Sequence, residues 1–227
     1  MGQKFLKEAY HFLKSISFNT LSHTQVASVS IAHTTAIQRC IERLNTNEPG
    51  VRDELLRIAY DRLLAMIRGL MTRYPGLRRW EQSDDVLQNV QIRLLRCLDQ
   101  VPIGSARDFL SLAATNIRRE LIDLARHHYG DEGAGKNHAT PPGDGVSIPE
   151  PAGAGDDPAI LTEWAELHDR IAQLPDEERE VMDLHWYHDL SQKEVATLIG
   201  VSERTVKRRW MAAKARLAAR LGRPDPV

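Results

Sequence analysis

Seven residues near the carboxyl end of the chain have the side chains and spacing of a DNA-binding surface. They lie in the stretch SERTVKRR and are Ser202, Glu203, Arg204, Thr205, Lys207, Arg208 and Arg209. Lysine and arginine bind phosphate oxygens, and side chains at the start of a helix reach base edges in a major groove. The pattern therefore predicts DNA contact, and the structural alternative is a solvated basic face on an ordinary helix.

A helix-turn-helix is predicted to position this basic cluster. Ser191 and Glu194 have the S-x-x-E spacing of a capping box, Gly200 ends the first helix, and Ser202 caps the second. The inward face of the second helix is predicted to carry Val206, Trp210, Ala213 and Leu217. A helix, a glycine-containing turn and a second helix form the arrangement that places the second helix in a major groove.

Charge is unevenly distributed, although the formal net charge is only -1. Residues 51–129 carry 13 Arg and no Lys against 10 acidic residues. Residues 130–190 carry 3 basic and 15 acidic residues, and residues 191–223 carry 9 basic and 2 acidic residues. Because association depends on the local potential, the near-neutral total does not argue against an anionic partner.

Helical periodicity extends through the rest of the chain, and no strand is predicted. Helices are expected from Thr34, over 51–74, from Ser83 as an N-cap, from Ser105 to Gly130, over 160–174 and over 177–188. Their apolar residues recur at i, i+3, i+4 and i+7, which is typical of helices with one buried face. The fold class is therefore predicted to be all-α.

A segment rich in glycine and proline divides these helices into two groups. It holds seven glycines, five prolines and an acidic excess in 29 residues, so it cannot bury enough apolar surface to become ordered. A flexible chain of this length spans about 30 Å on average, which would let two domains bind separate sites. The predicted organisation is an N-terminal extension at 1–33, poorly ordered or a short amphipathic helix, a helical domain at 34–129, a flexible acidic linker at 130–158, and a helix-turn-helix domain at 159–223.

The sequence offers little support for chemistry other than DNA binding. His127, His128, His185 and His188 invite a metal-dependent hydrolase hypothesis, but no Cys or carboxylate completes a zinc-type ligand set. The two cysteines have no partner spacing, which suits a reducing compartment, and no apolar run approaches the roughly 20 residues that span a bilayer. We therefore expect no catalytic residues, no metal or other cofactor, no small-molecule substrate, no membrane insertion, and a cytoplasmic protein.

Two stretches of the chain resemble separate regions of one known family. LPDEEREVMDLHWYHDLSQKEVATLIGVSERTVKRRW resembles region 4 of the sigma-70 family, and SDDVLQNVQIRLLR followed by ARDFLSLAATNIRRELIDLARHH resembles region 2. These modules in this order, with no helical domain between them, are similar to the small extracytoplasmic-function (ECF) class of sigma factor. The sequences TVKRRW and RDFLSLAATNIRRELIDLARHHYG are similar to those of a planctomycete-type subgroup of this class.

The resemblance implies functional residues on the two helices before the linker. Asp85 and Gln88 match the Asp and Gln of the family's D-L-x-Q signature, and the polymerase-binding candidates are Asp84, Asp85, Gln88, Asn89 and Arg93. The next helix is similar to the segment that recognises and melts the -10 element, where the candidates are Asn116, Arg118, Arg119, Asp123 and Arg126. The alternative for these charged residues is pairing along the helix, because Arg119 with Asp123 and Asp123 with Arg126 have the i, i+4 and i, i+3 spacings.

The resemblance also implies an overall function. A sigma factor with two small helical domains, one similar to region 2 and one similar to region 4, would bind core RNA polymerase and recognise promoter DNA. The basic cluster would contact the -35 element. The acidic linker would thread toward the polymerase active-site cleft, and the alternative is that it serves only as a solubilising tether. An anti-sigma factor would be a further partner. The alternative is a stand-alone helix-turn-helix regulator, which predicts a dimer on a palindromic site.

Overall fold

The computed structural model describes residues 23–46, 48–72, 82–129 and 158–221, and its regular elements there are all helical. The helices are α1 (His23–Leu44), α2 (Val51–Thr72), α3 (Ser83–Gln100), α4 (Ala106–Tyr129), α5 (Pro158–Ala172), α6 (Asp176–Met182), α7 (Gln192–Ile199) and α8 (Glu203–Leu221). A π-helical segment, Asp183–Tyr187, continues α6. The all-α prediction is confirmed for these residues, and none of the helices they form is long and apolar enough to span a bilayer.

Several helix ends differ from the sequence predictions by one or two residues, as in α5, which was predicted over 160–174. Two helix starts differ in a way that matters for the site. Helix α1 begins at His23, ahead of Thr34, where the apolar periodicity starts. Ser83 is the first residue of α3 and not its N-cap, so that prediction was wrong. The N-cap position belongs to Gln82, whose side chain makes no capping hydrogen bond, and Asp84 and Asp85 in the first turn favour the positive end of the helix instead.

Helices α1 to α4 pack on one another in chain order around a core of aliphatic side chains. Leu55, Leu63 and Ile67 of α2 are fully buried, and Leu94 of α3 and Phe109 of α4 close the core beside them. Full burial of such a side chain contributes about 1.5–3 kcal/mol. The amphipathic stripes read from the sequence therefore become one shared interior that holds α3 and α4 side by side.

Helices α5 to α8 form a second group around buried aromatic side chains. Trp164 of α5 and Trp210 of α8 are almost completely enclosed, and α8 packs against α5, α6 and α7. Trp186 and Tyr187 of the π-helical segment are also buried. This group fixes the position of α8 relative to the two helices that precede the helix-turn-helix.

The two groups pack against each other, and their buried residues form one continuous cluster. Helix α4 contacts both α5 and the π-helical segment. Most of the predicted N-terminal extension and almost all of the predicted linker lie outside the described residues. The domain boundaries therefore stay predictions, while the close packing of the two groups is a feature that the sequence pattern did not indicate.

Candidate DNA and polymerase interfaces

The start of α8 is held in place by three local hydrogen-bonding features. Ser191 Oγ accepts from Glu194 N at 3.2 Å, and Glu194 Oε2 accepts from Ser191 N at 2.8 Å, which confirms the capping box. Gly200 has φ of 70°, a left-handed conformation that costs glycine little. Ser202 Oγ accepts from Thr205 N at 3.2 Å, so the predicted second cap is also present.

Helix α8 presents a basic face on the side opposite its buried stripe. Val206, Trp210, Ala213 and Leu217 are buried as predicted. The exposed side carries Arg204, Lys207 and Arg208, together with Ser202 and Glu203 at the helix start, while Thr205 is half-buried. Because the cationic groups occupy the first two turns, they have the arrangement expected of a helix that enters a major groove.

Arg209 and Met211 differ from the expectation for this helix. The Arg209 side chain is only 15 % exposed and its Nη2 lies 2.5 Å from Glu177 Oε1, so it ties α8 to α6. Met211 is 55 % exposed beside the basic face. The sequence analysis missed Met211, although its place outside the stripe that joins Val206 to Trp210 was a usable signal.

An exposed patch on α3 contains the two residues of the D-L-x-Q match. Asp85 and Gln88 are both exposed, and Ile92, one turn beyond Gln88, is 41 % exposed. Asp84 accepts a 3.3 Å hydrogen bond from Tyr60 Oη of α2. Tyr60 and Ile92 are large exposed side chains that the sequence analysis did not select, and together with Asp84, Asp85 and Gln88 they form what we call the α3 patch.

Asn89 and Arg93 point away from the α3 patch and connect α3 to α4. Asn89 Nδ2 donates to Glu120 Oε1 at 2.9 Å. Arg93 Nε lies 2.8 Å from Glu120 Oε2, and its Nη2 donates to Asp123 at 2.9 Å. Of the five residues predicted to bind polymerase, the structure therefore brings Asp84, Asp85 and Gln88 together and places the other two in a helix–helix contact.

The five candidates on α4 are divided between its buried and its exposed sides. Asn116 is 3 % exposed and donates to Leu112 O at 2.9 Å, and Arg118 is 2 % exposed. Arg119, Asp123 and Arg126 are exposed. The alternative of pairing along the helix does not hold among the described residues, because Asp123 pairs with Arg93 of α3 and Arg126 Nη2 pairs with Asp169 of α5 at 2.5 Å.

Both helical groups, α1 to α4 and α5 to α8, lie largely within a stretch of the chain that is similar to known proteins. The sequence profile of the ECF sigma factor family matches residues 34–223, which include α2 to α8. The chain belongs to the ECF sigma factor family. It is also 44 % identical over 57 residues to RNA polymerase sigma factor FliA of Pseudomonas aeruginosa, an alignment that covers 25 % of this chain and 23 % of that protein. The chain thus spans about a quarter of the length of the curated relative it matches.

Within this ECF sigma factor, we call α1 to α4 the region 2 half and α5 to α8 the region 4 half. Arg118 of the region 2 half forms a buried ion pair with Asp183 of the region 4 half, with Nη1 and Oδ1 2.6 Å apart. Burial raises the pKa of the Asp183 carboxyl, against the opposing effect of Arg118. Burial lowers the pKa of the Arg118 guanidinium, but Tyr187 and Asp183 outweigh it and raise that pKa. Arg118 therefore remains a cation inside the protein.

Two further arginines of the region 2 half contact the region 4 half and were not selected from the sequence. Arg107, at the start of α4, forms an ion pair with Glu180. Arg62 Nη2 donates to the carbonyl oxygen of His188 at 2.9 Å. Burial lowers the pKa of Arg62, while Glu194 and Asp189 act in the opposite direction. No local pattern identifies these residues, since each partner lies on the far side of residues 130–157.

His188 makes the stability of this ECF sigma factor depend on pH. Its Nε2 donates to Leu110 O at 2.7 Å, while its buried Nδ1 has no hydrogen-bond partner among the described residues. Burial, with a smaller effect of Arg62, lowers its pKa to about 3. The unfolded chain binds the proton near pH 6.5 and the folded protein does not, so stability is full above pH 6.5 and declines as the pH falls toward 3.

We expect this histidine to lower the free energy of unfolding by about 1.5 kcal/mol between pH 6.5 and pH 5. Urea titrations at the two pH values, followed by circular dichroism, measure that loss. His188→Gln removes the titration and should flatten the pH dependence relative to the wild-type protein. Equal pH dependence in the two proteins would contradict the assignment. His168 and His185, whose pKa values burial also lowers, supply remaining slope in the variant.

Proposed function

We propose that this ECF sigma factor binds core RNA polymerase, directs it to promoters with -35 and -10 elements, and promotes opening of the duplex. The observation that carries this proposal is the capped helix α8, whose exposed face presents Arg204, Lys207 and Arg208 in a chain that matches the family over both halves. These three residues would contact the -35 element, with phosphates supplying affinity and base edges supplying sequence preference. The polymerase would carry out nucleotidyl transfer, so the chain needs no catalytic site.

The α3 patch is the proposed contact with core polymerase. It combines the carboxylates of Asp84 and Asp85 and the amide of Gln88 with the apolar surfaces of Tyr60 and Ile92. Protein interfaces commonly have an apolar centre with polar groups at the rim, and aromatic residues are enriched in them. This composition favours a protein partner for the α3 patch and a nucleic-acid partner for α8.

Helix α4 is the proposed contact with the -10 element. Arg119 and Arg126 are exposed and cationic, as phosphate contacts require, and Asp123 lies between them. Arg118 would become accessible only if the region 4 half moved away from α4, whereas Asn116 lies beside Cys97 of α3 within the region 2 half. The finer proposals are a cytoplasmic location, a planctomycete-type subgroup and sequestration by an anti-sigma factor, and they follow from the sequence resemblance.

The function is tested by transcription with purified components. Core polymerase and this protein, combined on a library of random promoters, should yield transcripts that share two spaced sequence elements. Absence of such transcripts with native core enzyme would contradict the proposal. The stand-alone regulator would instead bind a palindrome without polymerase and would not co-purify with the core enzyme.

Asp85→Ala should weaken capture of core polymerase about tenfold, which corresponds to about 1.4 kcal/mol, because it removes an exposed carboxylate of the α3 patch. Capture is measured by titrating labelled protein with core enzyme. Asp99→Ala is the matched control, since Asp99 is an exposed acid on the same helix that pairs with Arg52. Equal affinities for the two variants would exclude the α3 patch, and DNA binding by the isolated protein should be unchanged in both.

A further inference from the structure

Three arginines of α4 each pair with a carboxylate of the region 4 half. Arg107 Nη2 donates to Glu180 Oε2 at 2.8 Å, Arg118 Nη1 donates to Asp183 Oδ1 at 2.6 Å, and Arg126 Nη2 donates to Asp169 Oδ2 at 2.5 Å. With about 100° of rotation per residue, the three arginines fall within about 100° of one another around the helix. They form a cationic stripe along α4, and we call Asp169, Glu180 and Asp183 the carboxylate trio.

Further contacts, made to uncharged groups, also hold the two halves together. His188 Nε2 donates to Leu110 O of α4, and Arg62 of α2 donates to the carbonyl oxygen of His188. The Arg118 guanidinium also lies 5.2 Å from the centroid of the Tyr187 ring, within cation–π range. Hydrogen bonds and a cation–π contact therefore hold the carboxylate trio against the cationic stripe in addition to the ion pairs.

The trio offers to α4 what a nucleic-acid backbone would offer, namely a row of anionic oxygens. A phosphate chain approaching this side of α4 would need the guanidinium groups that Glu180, Asp183 and Asp169 already occupy. Charge-assisted hydrogen bonds from arginine form with carboxylate and phosphate alike. The two anionic partners therefore exclude each other at Arg118, which is 2 % exposed in this arrangement.

We propose that the region 4 half closes over α4 and competes with promoter DNA for its arginine stripe, so that the free protein is autoinhibited. This inference rests on the proposed role of α4 in DNA binding, but not on the polymerase. The ion pairs themselves add little to the stability of this closed arrangement. The pairs of Arg107 and Arg126 are partly exposed, and such pairs contribute little each. A buried pair such as Arg118–Asp183 recovers little more than the cost of desolvating it.

The test neutralises Asp169 and Glu180, the two members of the trio that are less buried than Asp183, and leaves every arginine in place. Asp169→Asn with Glu180→Gln should bind a labelled single-stranded oligonucleotide of random sequence about three- to tenfold more tightly than the wild-type protein, with a steeper salt dependence. Small-angle X-ray scattering of the free full-length variant should show a larger radius of gyration. The matched control is Glu166→Gln with Asp176→Asn, which changes net charge equally but breaks pairs with Arg170 and Arg179 inside the region 4 half.

The outcomes separate this inference from the proposed function. A trio variant that expands and binds the oligonucleotide more tightly than the control supports competition. This holds even if core polymerase does not bind the protein, a result that would contradict only the proposed function. A trio variant that matches the control in both measurements overturns the competition, even if the protein supports transcription. Tighter binding by both variants to the same extent also overturns it, because net charge alone would then explain the gain.

Discussion

Asp183→Ala should weaken the packed arrangement of the two halves by about 3–5 kcal/mol, because it leaves Arg118 as a buried cation without its counter-ion. The guanidinium cannot shed its charge, since its neighbours raise a pKa that is already high. Trp186 and Tyr187 lie in the same region and are buried, so near-ultraviolet circular dichroism reports on it directly. In a urea titration, their signal should be lost at a clearly lower urea concentration than in the wild-type protein.

Two control variants test whether the burial of the Arg118–Asp183 ion pair causes this loss of stability. Asp99→Ala removes an ion pair whose partners, Arg52 and Asp99, are 49 % and 58 % exposed, and it should cost less than about 1 kcal/mol. Arg118→Met with Asp183→Leu removes both charges and should be neutral or stabilising, because apolar side chains of similar size need no counter-ion. If Asp183→Ala and Asp99→Ala cost the same, Arg118 is not buried in solution as the structure has it.

Arg204→Ala with Arg208→Ala should reduce binding to the promoter elements recovered from the transcription library by at least about 1–3 kcal/mol. Both side chains are exposed on the face of α8 that is opposite its buried stripe. Loss of phosphate contacts should also lower the slope of log affinity against log salt by about one for each contact. Fluorescence anisotropy at several salt concentrations measures the affinity and the slope together.

The control is a pair of exposed arginines far from α8 in the chain. Arg57→Ala with Arg96→Ala removes the same charge from α2 and α3, and it should leave the salt slope close to the wild-type value. An equal loss in both double variants would show that net charge, and not the face of α8, governs binding. Circular dichroism should show unchanged helix content in both, since none of the four side chains is buried.

The parts of the site that the sequence predicted correctly depend on interactions within one or two helical turns. The capping box of Ser191 and Glu194 joins residues three apart, and the left-handed turn at Gly200 depends on one residue. The outward position of Arg208 follows from helical periodicity once Val206 and Trp210 are buried. The wrong prediction at Ser83 is of the opposite kind. Its hydroxyl lies 3.5 Å from Met71 Sδ of the preceding helix, which is a tertiary contact.

Arg118 and Arg209 show why residue types alone could not predict which cations are exposed for DNA contact. Both are cations on predicted DNA-binding helices, and both turn toward carboxylates of α6 or the segment that continues it. Their sequence neighbours Arg119 and Arg208 are exposed. Adjacent residues of a helix are rotated by about 100°, so one arginine of each neighbouring pair forms an internal ion pair and the other is a candidate DNA contact. Only the packing of the whole helix decides which residue has which role.

Helix periodicity and capping are local, so the sequence was enough to predict the helical fold class, the capped helix-turn-helix, the basic face of α8 and the acidic start of α3. The tertiary structure alone decided that the two halves meet along α4. Arg118 and Asp183 are 65 residues apart, with residues 130–157 between them, and no spacing rule links them. Their pairing depends on the shapes and charges of the two surfaces that the folded halves present to each other.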